Sequence, residues 1–182
     1  MNIDRVHQML ASYLQHFPED RDRVAPVEAV LNTGGEVALS SRLSPGHLTA
    51  GAVLIDRTSG VVLQLKHVKL GKWLLPGGHV EPSDKSLIEA ARRELIEEAG
   101  SIGVGASLIA DYPVDIDIHP IPPRPDGSEE EHLHFDFRFG FSTSTDQVKL
   151  APEEVADFRW TPLDDLGPLG ERIKVFLSQT ND

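Results

Sequence analysis

Residues 77–100, GGHVEPSDKSLIEAARRELIEEAG, open on a glycine pair that follows the apolar run Trp73-Leu74-Leu75-Pro76. A polar turn comes next, and then the spacing becomes helical. Ser86 with Glu89 three residues later reads as a capping box, and Gly100 stands where a helix C-cap glycine is wanted. Leu87, Ala91, Leu95 and Ala99 recur every four residues, which predicts a buried stripe. Glu94, Glu97 and Glu98 stand at i, i+3 and i+4 on another face, so three carboxylates converge within one turn.

Like charges at that spacing cost roughly 0.2–0.5 kcal/mol per pair on an ordinary helix surface. For an isolated Glu-Glu pair, a solvated helix face is the better reading. Here the glycine pair, the capping box, Arg93 and the terminal glycine are all in register, and the carboxylates read as a site for a hard divalent cation. Mg²⁺ takes oxygen ligands in near-octahedral geometry and keeps several places for water and phosphate oxygens. The glycines let backbone approach metal or phosphate closely.

This spacing resembles the Nudix box, G-x5-E-x7-R-E-U-x-E-E-x-G-U, with U an apolar residue. Arg93-Glu94-Leu95-Ile96-Glu97-Glu98-Ala99-Gly100 matches its second half without a gap, and Gly78 matches its first glycine. Arg93 lies fifteen residues after Gly78 where the pattern has fourteen. Counting forward puts Asp84 at the pattern's first glutamate, and counting back from Arg93 puts Lys85 there. The extra residue is expected in the turn 82–85, with neither Asp84 nor Lys85 a metal ligand. Alanine at Asp84 is then expected to cost no more than a lost cap, about 1 kcal/mol. The last apolar position is Ser101, with Ile102 beside it to fill the same space.

The resemblance runs from about Leu48 to the C-terminus, where Arg159-Trp160 and Asp164-Asp165-Leu166 fit a closing strand and an acidic turn before a last helix. It implies an α/β fold, a Nudix-type α/β/α sandwich with a mixed β-sheet. Residues 46–182 would form that domain and residues 1–45 an N-terminal helical extension. It implies a Mg²⁺- or Mn²⁺-dependent hydrolase cleaving the diphosphate bond of a nucleoside diphosphate linked to another group. By position, Glu94, Glu97, Glu98 and the Gly77 carbonyl would hold the metal. Arg93 would orient the carboxylates and share the catalytic role with Glu97 and Glu98.

A carboxylate bound to a cation loses basicity, so a general base is expected outside the helix. Glu129, Glu130, Glu131, Asp136, Glu153 and Glu154 are the candidates. The three at the end of the proline-rich loop are favoured, and Glu131 is taken as the base. A non-catalytic Nudix-fold module that senses or binds a nucleotide is the alternative, although it has little need for three repelling carboxylates. A diphosphate isomerase of isoprenoids has a similar box but usually needs a reactive cysteine, and this chain contains none.

At 182 residues the chain fits one domain with an extension, and 40% hydrophobic with 25% charged residues is ordinary for a globular protein. A formal charge of −12 argues against a nucleic-acid or anionic-membrane surface. A small anionic substrate remains open to it where a metal supplies positive charge. No apolar run approaches the ~18 residues of a membrane span, and the first residues lack a signal peptide's apolar core. A soluble cytoplasmic protein is the expectation.

Ile3, Val6, Met9, Leu10, Tyr13 and Leu14 predict an amphipathic helix over 2–16, which Phe17-Pro18 ends. Val24, Val27, Val30 and Leu31 predict a second over 19–31. This extension carries no catalytic signature and is expected to pack on the main domain or to make a homodimer, with 40–46 as the join. Residues 49–55 and 61–65 read as a hairpin. Lys66, Lys69 and Lys72 read as solvated loop lysines rather than phosphate contacts. Residues 106–118 read as one or two strands and 120–127 as a stiff proline-rich loop. The run His132-Leu133-His134-Phe135-Asp136-Phe137-Arg138-Phe139 alternates strictly, so a strand would bury Leu133 and the phenylalanines on one face. The other face would carry His132, His134 and Asp136 toward a substrate, or toward solvent. Two histidines at i, i+2 would also suit a transition metal. Residues 153–160 read as a closing strand and 169–177 as a terminal helix.

Overall fold

The computed structural model describes residues 1–34, 45–144 and 155–180. The join at 40–44 and the carboxylates of Glu153 and Glu154 lie outside the described residues. Two helices, α1 (Ile3–His16) and α2 (Arg21–Gly34), precede β1 (Gly46–Asp56), β2 (Val61–His67), β3 (Trp73–Leu74) and β4 (Gly77–His79). Helix α3 (Leu87–Ala99) runs into a single turn, α4 (Ser101–Gly105). Then follow β5 (Ser107–Leu108), β6 (Asp115–Ile121), β7 (His132–Thr143), β8 (Val155–Pro162) and α5 (Pro168–Gln179).

Every residue of β1 except Asp56 is buried, so both faces of this strand are covered. It pairs in parallel with β7 from Gly46↔Leu133 to Asp56↔Thr143. Its other edge pairs antiparallel with β2 and β4. Strands β3 and β8 add to β2, and β5 and β6 add to β7, all antiparallel. The sheet is therefore mixed.

Alternation gives the two faces different chemistry. Leu48, Ala50, Ala52 and Leu54 lie beside Phe135, Phe137, Phe139 and Phe141, all fully buried. Helix α3 covers this apolar face with Leu87, Ala91, Leu95 and Ala99, and Arg92 lies 5.0 Å above the Phe141 ring. The opposite face carries His47, Thr49 and Gly51 beside His134, Asp136 and Arg138. Farther along that face Gly140 leaves room for α5, since a Cβ there would lie 2.7 Å from the Phe176 ring. The layers are helix, mixed sheet, helix, the expected sandwich.

The caps of α3 form as its sequence predicts. Ser86 Oγ accepts from the Glu89 N–H at 3.1 Å, and the Glu89 carboxylate accepts from the Lys85 N–H at 3.0 Å. Gly100 ends the helix at φ 68°, a left-handed conformation that glycine takes without strain. Ile102, the apolar residue just after the motif, is buried in the core.

Helices α1 and α2 pack on this domain, and their apolar stripes join the same core as the sheet. A buried polar hub fastens them. The Asp20 carboxylate accepts from Tyr13, from Arg23 at 2.6 Å and from Arg172 of α5 at 3.0 Å. Arg23 also donates to the Ile116 carbonyl and, at 3.0 Å, to Asp115. Arg172 stacks over Phe17 at 4.4 Å. Burial alone would push the Asp20 carboxyl up, but the hydrogen bonds from Arg23 and Tyr13 and the two guanidinium charges outweigh it and hold it below the usual range. A depressed folded pKa stabilises above the unfolded value, and that stability is lost as pH falls through the folded value. Asp20→Ala should therefore cost about 2–3 kcal/mol in urea denaturation at neutral pH, with the gap to wild type narrowing in acid. Glu19→Ala removes only an exposed partner of Arg172 and should change stability by less than about 1 kcal/mol.

Candidate active site

The site is built where β4 meets α3. Backbone pairing sets Gly77 opposite Gly51 and Gly78 opposite Ala50. Backbone makes a side chain impossible at residue 77, and at residue 78 a side chain would displace the Glu94 carboxylate. A Cβ on Gly77 would lie 2.8 Å from the Ala50 carbonyl oxygen, and one on Gly78 would lie 2.6 Å from Glu94 Oε1. The absence of side chains thus lets the α3 carboxylates come against the β4 backbone. Glu98 is buried and accepts from the Gly77 N–H at 3.2 Å, Glu94 is half-buried, and Glu97 is exposed.

Arg93 holds the group together. Its Nε and one terminal nitrogen donate to the two oxygens of Asp84 at 3.1 and 3.0 Å. Its other terminal nitrogen donates to Glu94 at 2.8 Å and to Glu97 at 3.0 Å. A further bond reaches the His79 carbonyl at 2.8 Å. The Asp84 hydrogen bonds are the main reason that the guanidinium is held even more firmly protonated than usual, with Glu94 adding to them against the cost of burial.

Asp84 corrects one expectation. It lies in the turn ahead of Ser86, where the extra residue was expected, but it is buried rather than a dispensable cap. It accepts from the Glu81 N–H at 2.7 Å and grips Arg93 with both oxygens, while Lys85 is exposed. Removing it would strand a half-buried guanidinium, which costs more than a lost cap.

Glu94, Glu97 and Glu98 face a cleft of about 380 Å³ with Gly77, Gly78 and Arg93. The carboxylates of Glu81, Glu94, Glu97 and Glu98 line it beside the glycine backbone, an oxygen set suited to a hard cation, and His67 and His79 border it. Two residues that the sequence reading passed over also line it. Glu81 has an exposed carboxylate, and Lys69, read as a solvated lysine, stands on the wall. His67 Nδ1 accepts from the Lys69 and Leu70 N–H groups at 3.2 and 3.4 Å. The ring proton is therefore on Nε2, a donor at the cleft.

A second cleft of about 370 Å³ shares His67, Gly77, Gly78 and His79 with the first and runs over the polar face of the sheet. His134 and Asp136 line it with Thr49, Arg138 and the apolar side chains of Leu75 and Ile121. Asp136 accepts from Thr49 Oγ1 at 3.1 Å and from Arg138 at 2.9 Å, and Arg138 also reaches Asp117 at 2.8 Å. Burial pushes the His134 imidazole down to about 3, with the surrounding histidines adding to the shift.

Not every expected residue reaches these clefts. His132 is buried at the start of β7, with Nδ1 against the Glu130 carbonyl at 2.7 Å, and lines neither. Glu131 is exposed and lines neither, and Glu129, half-buried and paired with Arg124 at 2.7 Å, lines neither as well. One sequence signal for the missed wall was present. In GHLTAGA, His47, Thr49 and Gly51 alternate with Leu48, Ala50 and Ala52, as the polar residues of β7 alternate with its phenylalanines.

The NUDIX domain family model matches residues 45–179. Among curated proteins none matches the chain closely enough to count as a relative. Among solved structures, a C. elegans Ap4A hydrolase binary complex is 22% identical with a TM-score of 0.54, over 72% of this chain and 98% of that one. The NUDIX domain of Shewanella oneidensis NrtR in complex with ADP ribose is 20% identical with a TM-score of 0.51, over 82% and 97%. The E. coli dihydroneopterin triphosphate pyrophosphohydrolase is 14% identical with a TM-score of 0.50, over 71% and 92%. At these identities the likeness is one of fold. Family comes from the domain match, which covers most of the chain and includes the whole carboxylate cleft: the chain belongs to the NUDIX domain family.

Proposed function

We propose that this protein is a Mg²⁺- or Mn²⁺-dependent hydrolase that cleaves the diphosphate bond of a nucleoside diphosphate linked to another group. One observation carries the reading: three α3 carboxylates converge on two side-chain-free residues of β4, with a guanidinium holding them in place. Glu94, Glu97, Glu98 and the Gly77 carbonyl would hold the cation. When bound, such an ion neutralises diphosphate oxygens and lowers the pKa of a coordinated water.

The remaining work falls to the chain's own residues. Arg93 keeps Glu94 and Glu97 in place and offsets their repulsion. The Gly77 N–H fixes the orientation of Glu98. Lys69 and the Nε2–H of His67 offer positive charge and a hydrogen bond to the phosphates at the cleft rim. The second cleft takes the rest of the substrate, with Leu75 and Ile121 as a flat apolar wall and Asp136 and His134 for its polar groups. For the proton of the attacking water we assign Glu81. It is the cleft carboxylate left over once Glu94, Glu97 and Glu98 are assigned to the cation, while Asp136 is committed to Arg138 and Thr49.

Chromatographic detection of the nucleotide products from nucleoside triphosphates, dinucleoside polyphosphates, nucleotide sugars and ADP-ribose, each with Mg²⁺ and with Mn²⁺, tests the activity and selects the substrate. With the best substrate, Glu98→Gln should keep the fold and lower turnover by at least ~10²-fold. Wild-type turnover in that variant at limiting Mg²⁺ would sink the metal assignment. Glu81→Gln should lower kcat and flatten the acid limb of the pH–rate profile, while Glu131→Gln keeps both. The opposite pattern returns the base to the loop before β7.

A further inference from the structure

Five of the chain's eight histidines gather on the polar face of the sheet. His47 lies on β1, His79 on β4, His119 on β6, and His132 and His134 on β7. The His47 ring is 4.6 Å from His134, 5.0 Å from His132 and 5.1 Å from His79, and His119 is 5.4 Å from His134. One nitrogen from each of His47, His132 and His134 lies within 4.8 Å of the others. We propose that His47, His132 and His134 form a binding site for a borderline divalent transition metal of the Zn²⁺ class, separate from the glutamate cleft.

The sheet geometry brings these three together. Parallel pairing sets His47 directly beside His134, and His132 is two residues earlier on the same face of β7. A tetrahedral Zn²⁺ with nitrogens at ~2.0–2.1 Å needs the donors ~3.3–3.5 Å apart, so the rings close on it by about 1 Å. Side-chain rotation supplies a movement of that size.

A second observation concerns the protons. A carbonyl only accepts, so the 2.7 Å contact with Glu130 puts the His132 proton on Nδ1 and leaves Nε2 as a lone-pair donor. Histidines that bind metals characteristically have the other nitrogen fixed in this way. His119 is prepared likewise, with Nδ1 against Asp117 Oδ2 at 2.9 Å. The donor chemistry also separates the two sites. Imidazole suits Zn²⁺, Cu²⁺, Co²⁺ and Ni²⁺, while carboxylate and carbonyl oxygen suit Mg²⁺.

The test is a Co²⁺ titration of the chelator-treated full-length chain in excess Mg²⁺, which occupies the oxygen site. Visible absorption reports low-coordinate nitrogen ligation. One equivalent should bind with intense bands and be displaced by Zn²⁺. Glu98→Gln should leave the bands intact. His134→Ala and His132→Ala, each checked for folding by circular dichroism, should weaken binding by at least ~100-fold. Proton NMR of the wild-type chain supplies a readout that needs no variant: Co²⁺ should shift imidazole N–H signals of three histidines. The proposal is overturned by absent bands, by bands that survive both histidine changes, by bands lost in Glu98→Gln, or by unshifted imidazole signals.

Discussion

A single guanidinium sets the terms for the carboxylate cleft. Glu94, Glu97 and Asp84 would repel one another, and Arg93 donates to all three and to the His79 carbonyl. Lysine could not replace it. A planar fork with five N–H groups takes Asp84 with two donors and still has others for α3 and β4, whereas an ammonium is a compact point charge with three. The turn between β4 and α3, the β4 backbone and the helix are thus fastened at one point. Glycine does the complementary job, because any side chain at residue 78 would push Glu94 away from the strand. For the cation proposed to bind there, Glu94 would already be held against the strand, which would lower the reorganisation that binding requires.

The parts of this site that were legible in the sequence are the local ones. Helix α3 announces itself through Ser86, Glu89, Gly100 and a four-residue apolar repeat, and each of these acts within a few residues of its partner. The two faces of β7 were equally readable, since a period of two needs no knowledge of the neighbouring strand. Asp84 was misjudged for the opposite reason. Its turn was located correctly, but whether a turn carboxylate faces water or a guanidinium nine residues away depends on how the turn folds back on the helix.

Distance in sequence hid the rest. Neighbours along the chain suggested that one of Glu129, Glu130 and Glu131 would serve the cleft as base, yet none of them lines either cleft. His47 and His134 meet only because β1 and β7 run parallel, a pairing between segments separated by the whole box. The role of α1 and α2 was open between packing and dimerisation for the same reason. Asp20 meets Arg172 across 152 residues, and Arg23 meets Asp115 across 92.

His79 joins the two donor sets. Its carbonyl accepts from Arg93 on the glutamate side, and its ring stacks on His47 at 5.1 Å on the imidazole side. Oxygen ligands gather at α3 and the β4 backbone, while nitrogen ligands gather on the sheet face behind it. Such a division addresses a general difficulty of Mg²⁺ sites. Zn²⁺ binds most donor sets more tightly than Mg²⁺, so a carboxylate cleft alone excludes it poorly. The three imidazoles proposed as a second site would give the borderline ion a better match and leave the carboxylates to the hard one. His79 thus stands between the two: its carbonyl helps to hold Arg93, while its ring stacks on one of the three histidines proposed to bind the second metal.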